Sequence, residues 1–168
     1  GGLIGGLYDG GFVYSCHAAG AVDGMYEAGG LIGSCGGGTV QSCYASGPVS
    51  GQWGAGGLIG NLYGYSSVYS CYAVGAVDGM DQTGGLIGYA EEEAIVEDSY
   101  WDSEASGQTV SAGGEGRTTV QMQQQGTFIG WDFSAEWGIV NGASYPYLLS
   151  FPHPFSLTAS TRGAGGVT

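Results

Sequence analysis

Two carboxylates recur at one position of a repeated segment. Asp23 stands in Ala21-Val22-Asp23-Gly24 and Asp78 in Ala76-Val77-Asp78-Gly79, while Ser50 holds the equivalent place in Pro48-Val49-Ser50-Gly51. Paired carboxylates do general acid and base work on glycosides, and inverting enzymes hold them ~6.5–9.5 Å apart. On stacked strands Asp23 and Asp78 would lie two rungs apart, ~9.6 Å. Each is also an Asp-Gly pair, in which Asp bonds its own backbone and Gly takes positive φ. The residues favour that corner over a catalytic pair. The chain has two histidines, His17 and His153. Neither stands in HExxH, whose histidines one helical turn apart ligate zinc beside a glutamate base. His153 lies in Phe151-Pro152-His153-Pro154-Phe155 and reads as linker, a poor general base, and no GxSxG nucleophile segment occurs.

Metal and thiol chemistry have their own candidates. Calcium needs 6–8 oxygens around one point; the acidic run Glu91-Glu92-Glu93 aligns with Tyr8-Asp9-Gly10 and Tyr63-Gly64-Tyr65 in a variable loop and reads as solvated. GxGxxG matches arise cheaply in so glycine-rich a chain, and no βαβ unit frames them. Cys16, Cys43 and Cys71 share one column, and Cys35 falls in an aliphatic column with Leu7 and Leu62. Neighbouring rungs ~4.8 Å apart are within disulfide reach, but three thiols in a column leave one unpaired. A ladder of free thiols filling apolar space is favoured, with a disulfide the open alternative. Alternation from Val13 sets Cys16 on the opposite face, so burial of both demands a bend between them. Tyr8, Tyr14, Tyr63, Tyr65 and Tyr69 fall in loop or outward positions, where tyrosine binds sugars or proteins or simply stacks across strands. No catalytic, cofactor-binding or metal-ligating residue is assigned, no cofactor is expected, and the chain is read as non-enzymatic.

The elements that position these residues follow from repetition. GGLIG begins at Gly1, Gly29, Gly56 and Gly84. Val13-Tyr14-Ser15-Cys16-His17-Ala18 recurs as Val40-Gln41-Ser42-Cys43-Tyr44-Ala45 and Val68-Tyr69-Ser70-Cys71-Tyr72-Ala73, then degrades to Val96-Glu97-Asp98-Ser99-Tyr100-Trp101. The shorter second unit loses its residue in the run Gly36-Gly37-Gly38, which marks a loop. Glycine supplies 37 of 168 residues, which is hostile to helix. Proline supplies only 4, and glycine lacks the every-third spacing, which excludes collagen. Three short β-branched and aromatic stretches per unit cannot bury a face alone and must stack on their copies. The expectation is an all-β parallel β-solenoid of about four 27–28-residue rungs, right-handed by the crossover preference. The columns Leu3, Leu31, Leu58, Leu86 and Ile4, Ile32, Ile59, Ile87 would form its core, and His17, Tyr44, Tyr72, Tyr100 an aromatic stack.

After Trp101 the repeat fails. Ser103 to Gly116 reads as a polar loop, and Thr118 with Gln121 as the capping box of a short helix near Thr119–Gln125 that Gly126 ends. Phe128, Trp131, Phe133, Trp137, Tyr145 and Tyr147 follow within a short span, suited to covering the open end of a solenoid. The organisation is thus a repeat domain over 1–100 (units 1–28, 29–55, 56–83 and 84–100), a capping block over 101–149 and a linker or tail over 150–168.

The GGLIG units with their Ser-Cys-Tyr-Ala strands resemble the GLUG repeat. Ser99-Tyr100-Trp101-Asp102, Ser106-Gly107-Gln108, Thr118-Thr119-Val120-Gln121-Met122, Gly130-Trp131-Asp132-Phe133, Trp137-Gly138-Ile139 and Tyr145-Pro146-Tyr147-Leu148 resemble the terminal block that follows such repeats. The resemblance spans residues 1 to about 149. It departs where unit four is partial, where His17 replaces tyrosine, and where the chain begins inside a repeat, as a fragment would. It implies stalks of secreted or surface-anchored bacterial and archaeal proteins, adhesin-like proteins and IgA-specific metallopeptidases among them. Without HExxH, any peptidase chemistry of such a parent lies elsewhere. The function expected is a non-catalytic structural or adhesive repeat segment of a secreted microbial cell-surface protein, extracellular in location. The alternatives are a self-assembling subunit of an extracellular fibre and a carbohydrate-binding or carbohydrate-cleaving β-helix. Partners expected are a second copy or upstream repeats at the N-terminal rung, whose Leu3/Ile4 layer would otherwise be bare, and a surface glycan or host protein. The net charge of −13, with Arg117 and Arg162 the sole cations, argues against nucleic acid. Glycine interrupts every apolar run, which argues against membrane insertion.

Overall fold

The computed structural model describes residues 1–151, so His153, Arg162 and nearly all of the expected tail lie outside the described residues. Each repeated stretch is a strand paired in parallel with its copy one repeat away. Ile4–Tyr8, Ile32–Gly36, Ile59–Tyr63 and Ile87–Ala90 form one sheet, with the four leading isoleucines in register. Phe12–Tyr14, Thr39–Gln41, Ser67–Tyr69 and Ile95–Glu97 form a second. His17–Ala18, Tyr44–Ala45, Tyr72–Ala73 and Tyr100–Asp102 form a third, and Val22–Gly29, Val49–Gly56 and Val77–Gly84 a fourth. The chain is an all-β parallel β-solenoid of about four coils. Leu31, Leu58, Leu86, Ile32, Ile59 and Ile87 are fully buried between the sheets, each such side chain stabilising the stack by ~1.5–3 kcal/mol.

The first three coils have four strands each, and the fourth has three, where three apolar stretches per unit are visible in the sequence. The Val-Tyr-Ser-Cys stretch is cut in two because Ser15, Ser42, Ser70 and Asp98 take left-handed conformations (φ 52°, 51°, 50° and 47°). This is the bend that burying both the valine and the cysteine requires. The Asp-Gly corner reading is corrected: Asp23-Gly24 and Asp78-Gly79 lie inside eight-residue strands, and neither glycine has positive φ. The chain turns later, at Glu27, Gly54 and Gln82 (φ 50°, 69° and 50°). Folding back there makes each long strand an arch and buries Val49, Val77, Ala28 and Ala55 in a seam of their own, with Val22 half-buried against it. A corner at the aspartates would leave that seam in water.

The capping block divides its work between an end and a flank. The end of the stack is closed by part of the stretch read as a polar loop. Gly85 N–H donates to the Val110 carbonyl, Ser111 Oγ accepts from the Leu86 and Ile87 amides (3.2 and 2.9 Å), and Glu115–Arg117 adds a fifth strand to the tyrosine sheet. The aromatic cluster lies elsewhere. Trp131, Trp137, Phe128, Met122 and Leu148 pack against Tyr72 and Tyr100 on the side of the coil. The helix begins at Thr119 with the expected Thr118–Gln121 capping box but stops at Met122, and Gly126 lies in a 3-10 turn without positive φ. The rings need a flat aromatic wall to cover, and the tyrosine column supplies one. The end of a coil needs backbone partners, which a glycine-rich segment supplies.

Candidate functional site

Cys35 packs in the apolar core as expected, while Cys16, Cys43 and Cys71 form a hydrogen-bonded ladder. All four cysteines are free, so the disulfide alternative is not realised. Cys16, Cys43 and Cys71 donate to the carbonyls of Tyr14, Gln41 and Tyr69 (3.2, 3.0 and 3.1 Å). In turn Cys16 N–H donates to Cys43 Sγ and Cys43 N–H to Cys71 Sγ, both at 3.4 Å. Ser99 closes the series: its hydroxyl accepts from Cys71 N–H at 3.1 Å and donates to the Glu97 carbonyl at 2.8 Å. The left-handed serine swings the next amide out of the strand ladder, and the side chain one coil on supplies its acceptor. Burial pushes the Cys71 thiol well above its ordinary range, keeping it a protonated donor. Cys71→Ala should therefore cost about 1–3 kcal/mol by stranding the buried Cys43 amide, while Cys71→Ser, copying Ser99, should melt close to the parent. Equal melting temperatures for the two variants would return the thiols to the role of filler.

The aromatic column stacks through three of its four expected rings, while Tyr100, in backbone register with Tyr72, sets its ring against Phe128 and Trp131 instead. His17 stacks on Tyr44 (5.0 Å, 8° between planes) and Tyr44 on Tyr72 (4.9 Å, 6°). The terminal block runs down this column as a strap. Trp131 donates to the Asp98 carbonyl in the fourth coil at 2.7 Å, Trp137 sits against Tyr72 and Tyr44, and the Tyr72 hydroxyl donates to the Pro146 carbonyl at 2.5 Å. Glu136 accepts from the Tyr14 hydroxyl at the first coil and from Ser42 Oγ at the second, the latter at 2.7 Å. The ring of Phe151 meets His17 edge-on at 4.8 Å. Tyr14 thus holds the strap, and Tyr63 is tied to Glu27 at 2.6 Å and Asn61 at 2.7 Å, whereas Tyr65 projects into solvent. Asp102 is the anchor: fully buried, it accepts from the Glu104 and Ala105 amides, Thr119 Oγ1 and the Tyr145 hydroxyl. Asp102 and Glu136 were not legible as functional positions, since only the strap's placement gives them partners.

The repeated carboxylates come out on the arches. Asp23, Ser50 and Asp78 are in register and exposed, as are Met25, Gln52 and Met80 two residues on. Between the two rows runs a groove of about 360 Å³ whose floor is Gly24, Gly51 and Gly79. A Cβ on Gly51 would point away from the groove and sit 3.1 Å from Ala28 Cβ, so the close packing inside the arch requires glycine there. Ser50 separates the two aspartates by a full rung, placing them ~9.6 Å apart. Of the acidic run, Glu91 accepts from Gly64 N–H at 2.7 Å, while Glu92 and Glu93 are exposed in a turn. Among the described residues no three His, Cys, Asp or Glu side chains converge as a metal site. No helix among them is long and apolar enough to cross a membrane.

A family model described as the GLUG motif matches residues 51–78. The match is one repeat long, running from one arch to the next, and the same strings recur in the other units, so the chain is a repeat protein that carries this motif. Comparisons with curated proteins and with solved structures return no match.

Proposed function

We propose that this chain, built on stacked GLUG-motif repeats, is a non-catalytic structural and adhesive segment of a secreted microbial cell-surface protein. The observation that carries the reading is where the repeated residues go. The glycines, the Leu-Ile pair, the serine-cysteine bend and the tyrosine all serve the stack itself. Conserving a unit four times within one chain builds length and a regular lateral face, which is what a spacer or adhesive surface needs. A mean charge so far toward negative keeps such a surface soluble and away from nucleic acid. The test is labelling of intact source cells with antibody raised against the recombinant chain. Signal on unpermeabilised cells is expected; signal that requires permeabilisation overturns the extracellular reading.

A second reading, assembly into a fibre, has its own observation. On the first coil Phe12 is 60 % exposed and Leu3 49 %, whereas Leu31, the neighbour of Leu3 one coil in, is fully buried. A coil face with open strand edges and half-exposed aliphatics templates pairing. Growth of light scattering with concentration, abolished by Leu3→Lys, favours it; a monomer at every concentration removes it.

A further inference from the structure

The strap covers the tyrosine face, but the arches carry exposed apolar side chains that nothing among the described residues covers. Met25 and Met80 (83 % exposed) line the glycine-floored groove, and Tyr26 (66 % exposed) and Trp53, paired one residue further along their arches, are exposed as well. Single exposed hydrophobes are ordinary, but four such large side chains gathered on three successive arches mark an interaction surface. Asp23 and Asp78 line the groove's other wall, and Asp81 continues the register of Tyr26 and Trp53. The charge pattern selects the occupant. The chain has no lysine, and its one described arginine, Arg117, is paired with Glu115 on the tyrosine sheet. Among the described residues a second copy therefore offers this face no unpaired side-chain cation, and two copies would set aspartate against aspartate.

We propose that the groove and these exposed side chains dock an extended lysine-bearing segment of a partner protein. Each lysine stem lies along Met25 or Met80, its ammonium reaches Asp23 or Asp78, and the rings of Tyr26 and Trp53 offer further cations a π face. Three arches give the groove the length of two rung spacings, ~9.6 Å, which suits successive side chains of an extended strand better than one small amine. The inference deepens the adhesive reading and rests on it only for access to a partner outside the cell.

The experiment is fluorescence anisotropy with a labelled octalysine peptide, beside octaglutamate, spermidine and a neutral chitohexaose. Every substituted side chain is exposed, so folding is checked by circular dichroism and should not change. The double variant Asp23→Asn/Asp78→Asn should weaken octalysine binding tenfold or more, and Trp53→Ala severalfold. The charge-matched control Glu92→Gln/Glu93→Gln, on a distant exposed turn, should change it less than twofold. Equal losses in both double variants would mean that the net negative field alone attracts the peptide, and would overturn the proposal. So would spermidine binding as tightly as the peptide, or chitohexaose binding in its place. No octalysine binding by the folded parent chain also overturns it, while leaving the surface-segment reading to be judged by cell labelling.

Discussion

Gly56→Ala should abolish folding, although it adds a single methyl group next to an alanine, Ala55. A Cβ built on Gly56 would fall well inside contact distance of the Ile59 carbonyl oxygen and 2.7 Å from the Gly88 nitrogen. Both are backbone atoms of the stacked coils, held by parallel pairing, so no side-chain rotation relieves the clash. Its neighbour Gly57 is as closed, with its Cβ meeting the Gly85 carbonyl oxygen and, at 2.9 Å, Ala73 Cβ. Overpacking a core costs ~1–3 kcal/mol when neighbours can yield. Here the yielding group would be a whole coil, and parting it from the next gives up backbone bonds along several strands, against a total stability of ~5–15 kcal/mol. Gly20→Ala is the control, since a Cβ there meets nothing within 4 Å. The check is soluble yield and thermal unfolding of the two variants side by side. A Gly56→Ala chain that melts with the Gly20→Ala chain would refute the packing described for the repeat signature.

That glycine pair shows what repetition makes legible. A column of identical residues declares that each copy meets the same surroundings, so the Leu-Ile core, the parallel register and the stacked rings could be read before any coordinate. The bend between Val13 and Cys16 was legible too, because alternation forbade burying both without one. What repetition could not reveal was anything set by single residues that meet only once. The strap's rings could cover either an end or a flank of the coil, and composition does not distinguish the two. Only the tyrosine wall, with Trp137 against Tyr44 and Tyr72, decides it. The Asp-Gly pairs misled for a related reason. Their local chemistry favours a turn, but a seam of Val49, Val77, Ala28 and Ala55 outweighs it by burying more apolar surface when the chain bends four residues later. The groove on the arches followed from that same displacement, and so was not visible until the arch was.

Asp102→Ala should detach the strap while leaving the coils folded. The Asp102 carboxylate has no accessible surface and holds four donors: the amides of Glu104 (3.0 Å) and Ala105 (2.9 Å), Thr119 Oγ1 (3.1 Å) and the Tyr145 hydroxyl (2.7 Å). Alanine strands all four, and a buried donor left without its acceptor costs about 1–3 kcal/mol. A total loss of about 3–5 kcal/mol is expected, falling on the segment that carries Trp131 and Trp137 rather than on the Leu-Ile core. Tryptophan fluorescence should then report a transition well below the one seen by far-ultraviolet circular dichroism. A single transition at the parental temperature would show that Asp102 anchors nothing. Alkali gives an independent view of the same contact. Burial first, and the hydrogen bond to Asp102 second, push the Tyr145 hydroxyl from 10.0 up to about 12. Because its folded value is the higher one, its contribution is complete below pH 10 and is lost as pH rises through about 12. Tyr72, buried against Pro146, moves in the same direction. Tyrosinate absorbance and tryptophan fluorescence should therefore change together between those limits in the parent chain. In Asp102→Ala, with one of the causes that raise Tyr145 removed, both changes should move to lower pH; release at the parental pH would mean that the strap is held by its aromatic packing alone.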